Sequence, residues 1–589
     1  MKDFFKFTLA TMVGLILTAV VFSIIGILTL AGMLASQGGE TTVKDNSIFE
    51  LQLNGTLAER SVDNPLNSIL GSDFETLGLD DILSSIKKAK ENDQIKGIYI
   101  EATALSGAGF ASLQEIRRAL EDFKKSGKFV VAYADSYDEA LYYVCSVAST
   151  VILNPQGMLD WHGLSAQLMF YKNTLEKLGV EMQVFKVGSY KSAVEPFIND
   201  KMSDANREQV TSYLGSLWNS MKAEVSKSRG ISVVTLDTLA DHYMAFATPQ
   251  DYVSSKMVDK LAYKDEVKSY LKELMKCDSD ATLNTLSLED MVNVGINAPL
   301  DKSGNIIAVY YAYGEIDNAM GLSMDEGIDS KKVCKELSDL RDDNDVKAVV
   351  FRVNSPGGSA YGSEQIWREI TRLKEKKPVI VSMGDYAASG GYYISCAATS
   401  IYAEPTTVTG SIGIFGIIPN PSKLLTDKLG VTFDGVKTNK LGDFGSLGRG
   451  FNADEGALMQ SYINRGYELF TRRCADGRGL KQDSIKAIAQ GRVWTGEQAL
   501  KIGLVDKLGN LEDAVAAAAS KAGIQSYSLM SYPEKQGILD QILSDKKDHY
   551  INGQIKAMLG DYYDGYTLLR NIENAYPVQA LMPYKVIVK

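Results

Sequence analysis

Val379–Tyr393 reads VIVSMGDYAASGGYY. The β-branched run Val379, Ile380, Val381 favours a strand. It gives way to Ala387-Ala388-Ser389-Gly390-Gly391, then to an apolar helical run through Ile394, Cys396, Ala397 and Ala398. The pattern predicts a strand feeding a sharp turn into a helix, with one hydroxyl, Ser389, at the turn. That arrangement presents the hydroxyl beside free backbone N–H groups and a helix N-terminus. Such groups stabilise an oxyanion. A glycine-rich turn that merely redirects the chain fits the same residues, so the rest of the sequence has to decide.

Compared with itself, the chain is a duplication. Leu51–Gly55 is echoed by Tyr310–Gly314, Ile95–Ile100 by Val346–Phe351, and Phe129–Tyr133 by Val379–Met383. At a constant offset of 250, Tyr142-Tyr143 falls on Tyr392-Tyr393 and Asn154-Pro155 on Glu404-Pro405. Arg229-Gly230 recurs as Arg478-Gly479, and Val258–Leu261 as Val505–Leu508. Each half alternates β-rich runs with amphipathic helices such as 80–91, 112–125 and 363–376. That alternation predicts an α/β fold of tandem duplicated units with largely parallel sheet.

The halves diverge where chemistry would sit. Ser389-Gly390-Gly391 lines up with Glu139-Ala140-Leu141, and Asn354-Ser-Pro-Gly-Gly-Ser359 has no glycine pair in its counterpart Thr103–Ala108. Conversely, only the first half carries Gly188-Ser-Tyr-Lys-Ser-Ala-Val-Glu-Pro196. Complementary losses of this kind point to one composite site between the halves.

The length of 589 residues corresponds to about three to four domains. With 45% hydrophobic and 23% charged residues, the chain has a globular composition. Its net charge of −11 argues against a nucleic-acid partner. Cys145, Cys277, Cys334, Cys396 and Cys474 are scattered, without a C-x-x-C pair, and read as buried small apolar residues. His162, His242 and His549 show no metal spacing, and no metal or cofactor is expected.

Phe7–Leu34 is a run of 28 residues without a charge. A bilayer span needs about 20 apolar residues, whereas a signal-peptide core has about 7–15. No small-x-small cleavage site follows, so a retained anchor is expected. Lys2 and Lys6 precede it and Lys44 is the first basic residue after it. The positive-inside rule puts the N-terminus in the cytoplasm and the remaining chain outside. The expected division is 1–46 anchor and linker, 47–298 the first repeat, 299–525 the second repeat and 526–589 a C-terminal extension.

A serine nucleophile needs a base. His162 falls on Ile412 by the offset, in the half that lacks the serine. Lys191 has small and apolar neighbours, and a lysine base must be buried enough to lose its proton. Most lysines are solvated surface groups, and 198 residues separate Lys191 from Ser389, so the residues alone leave the base open. An S-x-x-K match at Ser84–Lys87 lacks its companion motifs. Gly358 N–H, beside that of Gly390, would make an oxyanion hole, and Ser355-Pro356-Gly357-Gly358 equally suits a type II turn. Thr409-Gly-Ser-Ile-Gly413 offers a hydroxyl that would orient an amine, or simply another turn.

Taken together, Tyr190–Pro196, Asn354–Gly358, Met383–Tyr392 and Thr409–Gly413 resemble the signal peptide peptidase A (protease IV) family in its long duplicated form. The resemblance implies Ser389 as nucleophile, Lys191 as general base and Ser411 orienting the lysine, with Gly358 and Gly390 as oxyanion donors. It implies repeated ββα units similar to crotonases and Clp proteases. It also implies a homotetrameric bowl anchored on the outer face of a bacterial inner membrane, acting on released signal peptides and other unfolded apolar peptides. Asp385-Tyr386 is bulkier and more polar than the resemblance leads one to expect. The rival readings are a crotonase-type acyl-CoA enzyme and a non-catalytic membrane scaffold.

Overall fold

The computed structural model describes residues 41–61, 76–295, 301–317, 327–535 and 578–582, with a few isolated positions among the first 22. The expected anchor, residues 7–34, lies almost wholly outside them, as does His549. Among the described residues no helix is long and apolar enough to cross a membrane.

Each half builds a sheet in the same order. In the first, Ser47–Ala58 is followed sideways by Ile95–Ser106, Phe129–Tyr137, Thr150–Leu159 and Lys260–Leu261, all parallel. In the second, Ile306–Tyr313 is followed by Val346–Ser355, Val379–Ala388, Ser400–Ala403 and Lys507–Leu508, again all parallel. Asn284–Leu286 flanks the opening strand of the first sheet, and Ser528–Tyr532 flanks that of the second. The start of the segment 526–589 is thus a strand of the second sheet. Parallel sheets are covered on both faces, and every residue of Val379–Ala388 is buried accordingly.

The amphipathic segments form the covering helices. Phe110–Lys124 buries Leu113, Ile116, Leu120 and Phe123 at helical spacing. Its counterpart Ala360–Lys374 does the same with Ile366, Ile370 and Leu373. The long helices Asp204–Arg229 and Ala453–Arg478 each run 26 residues, and each ends at a left-handed glycine, Gly230 and Gly479. The cysteines divide: Cys145, Cys396 and Cys474 are buried as expected, whereas Cys277 and Cys334 are only half-buried.

Among the polar ties that join the halves across a shared interior, three stand out. Arg352 is buried, with Nε 2.9 Å from Glu59 and Nη2 2.7 Å from Glu115. Arg118 grips buried Glu404 with both ends of its fork, at 2.8 and 2.6 Å. The third tie accounts for the bulky Asp385. Helix Phe110–Lys124 begins at Gly109, which supplies no side-chain cap. Asp385 of the other half caps it instead, accepting from Ser112 N–H at 2.8 Å and Ser112 Oγ at 2.7 Å. A Cβ on Gly109 would stand 2.3 Å from the Asp385 carboxyl carbon, so only glycine leaves room for this borrowed cap.

A small antiparallel sheet completes the join, in the order Gly357–Ser359, Val578–Leu581, Phe415–Asn420, Glu181–Lys186. Its last pair crosses between the halves and delivers the chain just after Lys186 to the site.

Candidate active site

Strand Val379–Ala388 stops at a turn, and helix Gly390–Ser395 begins there. Ser389 occupies the turn with φ 55° and ψ −111°. L-residues rarely hold such a backbone, at a cost of about 1–3 kcal/mol. Hydrogen bonds fix it: Ser389 N–H donates to the Gly410 carbonyl at 2.8 Å, and Tyr393 N–H donates to the Ser389 carbonyl at 2.9 Å. One residue past Gly410, Ser411 is also left-handed, at φ 51°. Its N–H donates to the Arg492 carbonyl at 2.7 Å. Both hydroxyls therefore stand on rigid turns at neighbouring strand ends.

Lys191 arrives from the first half. Tyr190 N–H donates to the Gln490 carbonyl at 2.9 Å, and Gln209 Nε2 donates to the Tyr190 carbonyl and to Ser192 Oγ, both at 2.9 Å. Two glycines floor the passage. A Cβ on Gly491 would lie 2.6 Å from Lys191 Cα, and one on Gly413 would lie 3.2 Å from its Cδ. The stem is thus threaded through a slot that side chains would close.

The amine ends 2.7 Å from Ser389 Oγ, 3.0 Å from the Ser411 carbonyl oxygen and 3.1 Å from Ser411 Oγ. Lys191, Ser389 and Ser411 are all fully buried. Burial alone pushes the Lys191 pKa well below its usual 10.5.

The second glycine turn lies against the first. Gly357 and Gly358 have φ of 105° and 152°. A Cβ on Gly358 would stand 2.3 Å from the Ile316 carbonyl oxygen, and one on Gly390 3.0 Å from Gly357 Cα. Asn354 links the two turns, its Oδ1 accepting from Tyr386 N–H at 3.0 Å. The five residues singled out in the sequence are thereby brought together. His162 is not among them. Its ring nitrogen lies 2.8 Å from Asp160 and its ring packs on Tyr243, in the first half. His242 is exposed at the end of helix Val233–Asp241.

Sequence reasoning missed two participants. Ile316 pairs with the second glycine turn, donating N–H to the Gly357 carbonyl and accepting from Ser359 N–H, both at 2.9 Å. Val578–Leu581 lies along the same turn. Neither carries a local motif, because both act through main-chain pairing alone.

A buried serine facing a buried amine, with two glycine turns alongside, has the equipment of a serine hydrolase. The model for peptidase family S49 matches residues 122–278 and 371–525, one stretch in each half. Protease 4 of Salmonella typhi is 39% identical over 487 residues, covering 81% of this chain and 77% of its own. Protease 4 of Haemophilus influenzae is 34% identical over 544 residues, covering 88% and 84%. A mutant ClpP1 from Listeria monocytogenes covers 35% of this chain and 94% of its own at TM-score 0.24 and 18% identity, too distant to support a structural argument. The chain belongs to peptidase family S49. It is a serine protease, which sets aside the acyl-CoA and scaffold readings.

Proposed function

We propose that this chain is a membrane-anchored endopeptidase that degrades released signal peptides through a Ser–Lys dyad and an acyl-enzyme. The observation that carries the reading is the 2.7 Å approach of Lys191 Nζ to Ser389 Oγ in a fully buried setting. A neutral amine has two N–H groups and one lone pair. The N–H groups suit the Ser411 carbonyl and hydroxyl oxygens, which leaves the lone pair for the Ser389 proton.

In this mechanism Ser389 Oγ attacks the peptide carbonyl while its proton passes to Lys191 Nζ. The N–H groups of Gly358 and Gly390 receive the oxyanion. Lys191 then protonates the leaving amine, and a water activated by the same neutral lysine releases the acyl-enzyme. No metal or cofactor takes part.

The wider reading follows the family resemblance. Residues 7–34 hold the chain in the inner membrane with the N-terminus cytoplasmic, and the repeats 47–298 and 299–525 lie outside it. Four copies form a bowl, built from crotonase- and Clp-like units, that admits unfolded apolar peptides. The test uses the full chain in detergent with an apolar signal-peptide fragment. Ser389→Ala and Lys191→Ala are each expected to lose at least about 10³-fold in kcat. An active Lys191→Ala beside a dead Ser389→Ala would move the base elsewhere.

A further inference from the structure

The residue just before the lysine is gripped by a side chain of the other half. Arg492 sets its guanidinium over the Tyr190 ring, 4.8 Å from the ring centre, and over that of Trp494 at 4.5 Å. Its Nη1 donates to Glu208 Oε1 at 2.8 Å and to the Tyr190 hydroxyl oxygen at 3.2 Å. The Tyr190 hydroxyl donates in turn to Glu208 Oε2 at 2.9 Å. The Tyr190 hydroxyl and the guanidinium together hold the Glu208 carboxyl below its ordinary pKa, so it is charged at neutral pH. The group grades outward from fully buried Lys191 to Glu208, whose side chain is 55% exposed.

The main chain of Arg492 serves the other side of the base. Its carbonyl accepts from Ser411 N–H at 2.7 Å, and its own N–H closes a turn on the Ala489 carbonyl at 3.0 Å. Within that turn Gln490 and Gly491 are both left-handed, at φ 57° and 80°. The Gln490 carbonyl accepts from Tyr190 N–H at 2.9 Å, and Gly491 N–H donates to the Ile412 carbonyl at 2.8 Å. One short turn therefore holds Ser411-Ile412 with its main chain and Tyr190 with both main chain and guanidinium. Tyr190 is pinned at its backbone and at its ring, so the next residue, Lys191, has little freedom to withdraw. Burial alone lowers the Lys191 pKa, which means that Arg492 acts on the amine through placement and not through its charge.

We infer that Arg492 is a positioning residue for the base: its stack on Tyr190 fixes how far Lys191 enters the slot between Gly413 and Gly491, and so sets the reach of the amine to Ser389. The inference rests on the Ser–Lys reading above. Without the stack the ring is free to swing outward and draw the lysine with it. A misplacement of about 1 Å costs about 10²-fold in rate. A slot opened to water also lets the lysine pKa climb back towards its ordinary value. A tie that merely fastened the halves together would lower stability and leave that pKa where it was.

The test measures cleavage of an apolar signal-peptide fragment by the full chain in detergent, as pH profiles of kcat and kcat/KM. Arg492→Ala is expected to lose about 10²-fold in kcat with KM little changed, and to move the acid limb up by at least about one pH unit. Arg492→Lys keeps the charge without the flat fork that lies on two rings, and is expected to lose at least about tenfold in kcat. Wild-type kcat in Arg492→Lys would overturn placement by stacking. The position of the acid limb does not depend on how much enzyme is folded, so it can be read even where Arg492→Ala yields little active protein. Glu208→Ala, altered at an exposed side chain, removes the anchor that Tyr190 and Arg492 share and is expected to move the limb in the same direction by less. An unmoved limb in both variants, with lowered Tm, makes the contact a structural tie and overturns the inference. Lys191→Ala separates the two claims. Activity retained there overturns the Ser–Lys reading and this inference with it, whereas a dead Lys191→Ala beside wild-type kcat in Arg492→Ala removes Arg492 alone.

Discussion

At equivalent stations, 250 residues apart, the chain leaves a parallel strand and enters a short helix: at Asp138–Leu141 in one half and at Ala388–Gly391 in the other. The first turn is relaxed. Asp138 has φ −76° and ψ 173° and caps its helix by accepting from Leu141 N–H at 2.7 Å. In place of Ser389 stands Glu139, whose carboxylate accepts from His162 N–H at 2.7 Å and Gly163 N–H at 2.6 Å. The second turn has a left-handed serine, no side-chain cap and glycines in place of bulk. One turn meets its own hydrogen-bonding needs and is closed. The other is built of glycines around a hydroxyl that faces Lys191 of the opposite half at 2.7 Å.

The contrast breaks most sharply at the lysine. Lys191→Ala removes the amine that reaches Ser389 from the first half, and a loss of at least about 10³-fold in kcat is expected in peptide-cleavage kinetics. Gly358→Ala comes next. Its φ of 152° and the 2.3 Å approach to Ile316 O leave no place for a methyl group, so the turn must shift. Loss of an oxyanion donor costs about 10²–10³-fold in kcat, with KM less affected; unchanged kcat would remove Gly358 from the site.

The pH profile sharpens the same point. Burial lowers the Lys191 pKa, and in the proposed Ser–Lys mechanism the base works unprotonated, so kcat/KM is expected to fall on the acid side by about tenfold per pH unit below that pKa. A flat chemistry-limited profile from about pH 5 to 9 would count against a lysine base. Stability carries the opposite sign. Between the lowered folded value and the ordinary value of 10.5, the unfolded chain binds the extra proton, so the lysine destabilises the fold by an amount that shrinks as pH rises. Lys191→Met is therefore expected to raise Tm at pH 7, with a smaller gain at pH 9; an equal gain at both would show that the buried amine keeps its proton in the folded chain. The mildest effect belongs to the closed turn. Glu139→Ala strands two N–H groups and should lower unfolding stability by about 1–3 kcal/mol in a denaturant melt, with kcat per folded molecule unchanged.

The open turn and the duplication are legible in the sequence because glycine, β-branching and helical spacing are local signals, and the 250-residue offset multiplies them. Ser389 and both glycine turns can be found that way. The partner amine cannot, because the pairing of Lys191 with Ser389 exists only after the halves pack. Asp385 illustrates the same limit. Beside Ala387 it reads as an intruder, and its reason, the uncapped N–H of Ser112, lies 273 residues earlier. The strand Val578–Leu581 is invisible for another cause: a segment recognised by its main chain leaves no side-chain pattern to read.

The borrowed cap also sets a clock. On a ribosome adding about 5–20 residues per second, Asp385 emerges roughly 15–55 s after Ser112. For that interval the first half waits with a helix end exposed, and with Glu115 lacking the arginine that will neutralise it. The nascent first half must therefore be either marginal or sheltered, and it settles only when the second sheet is complete. A chain interrupted between the repeats would leave two pieces, each missing ends that only the other supplies.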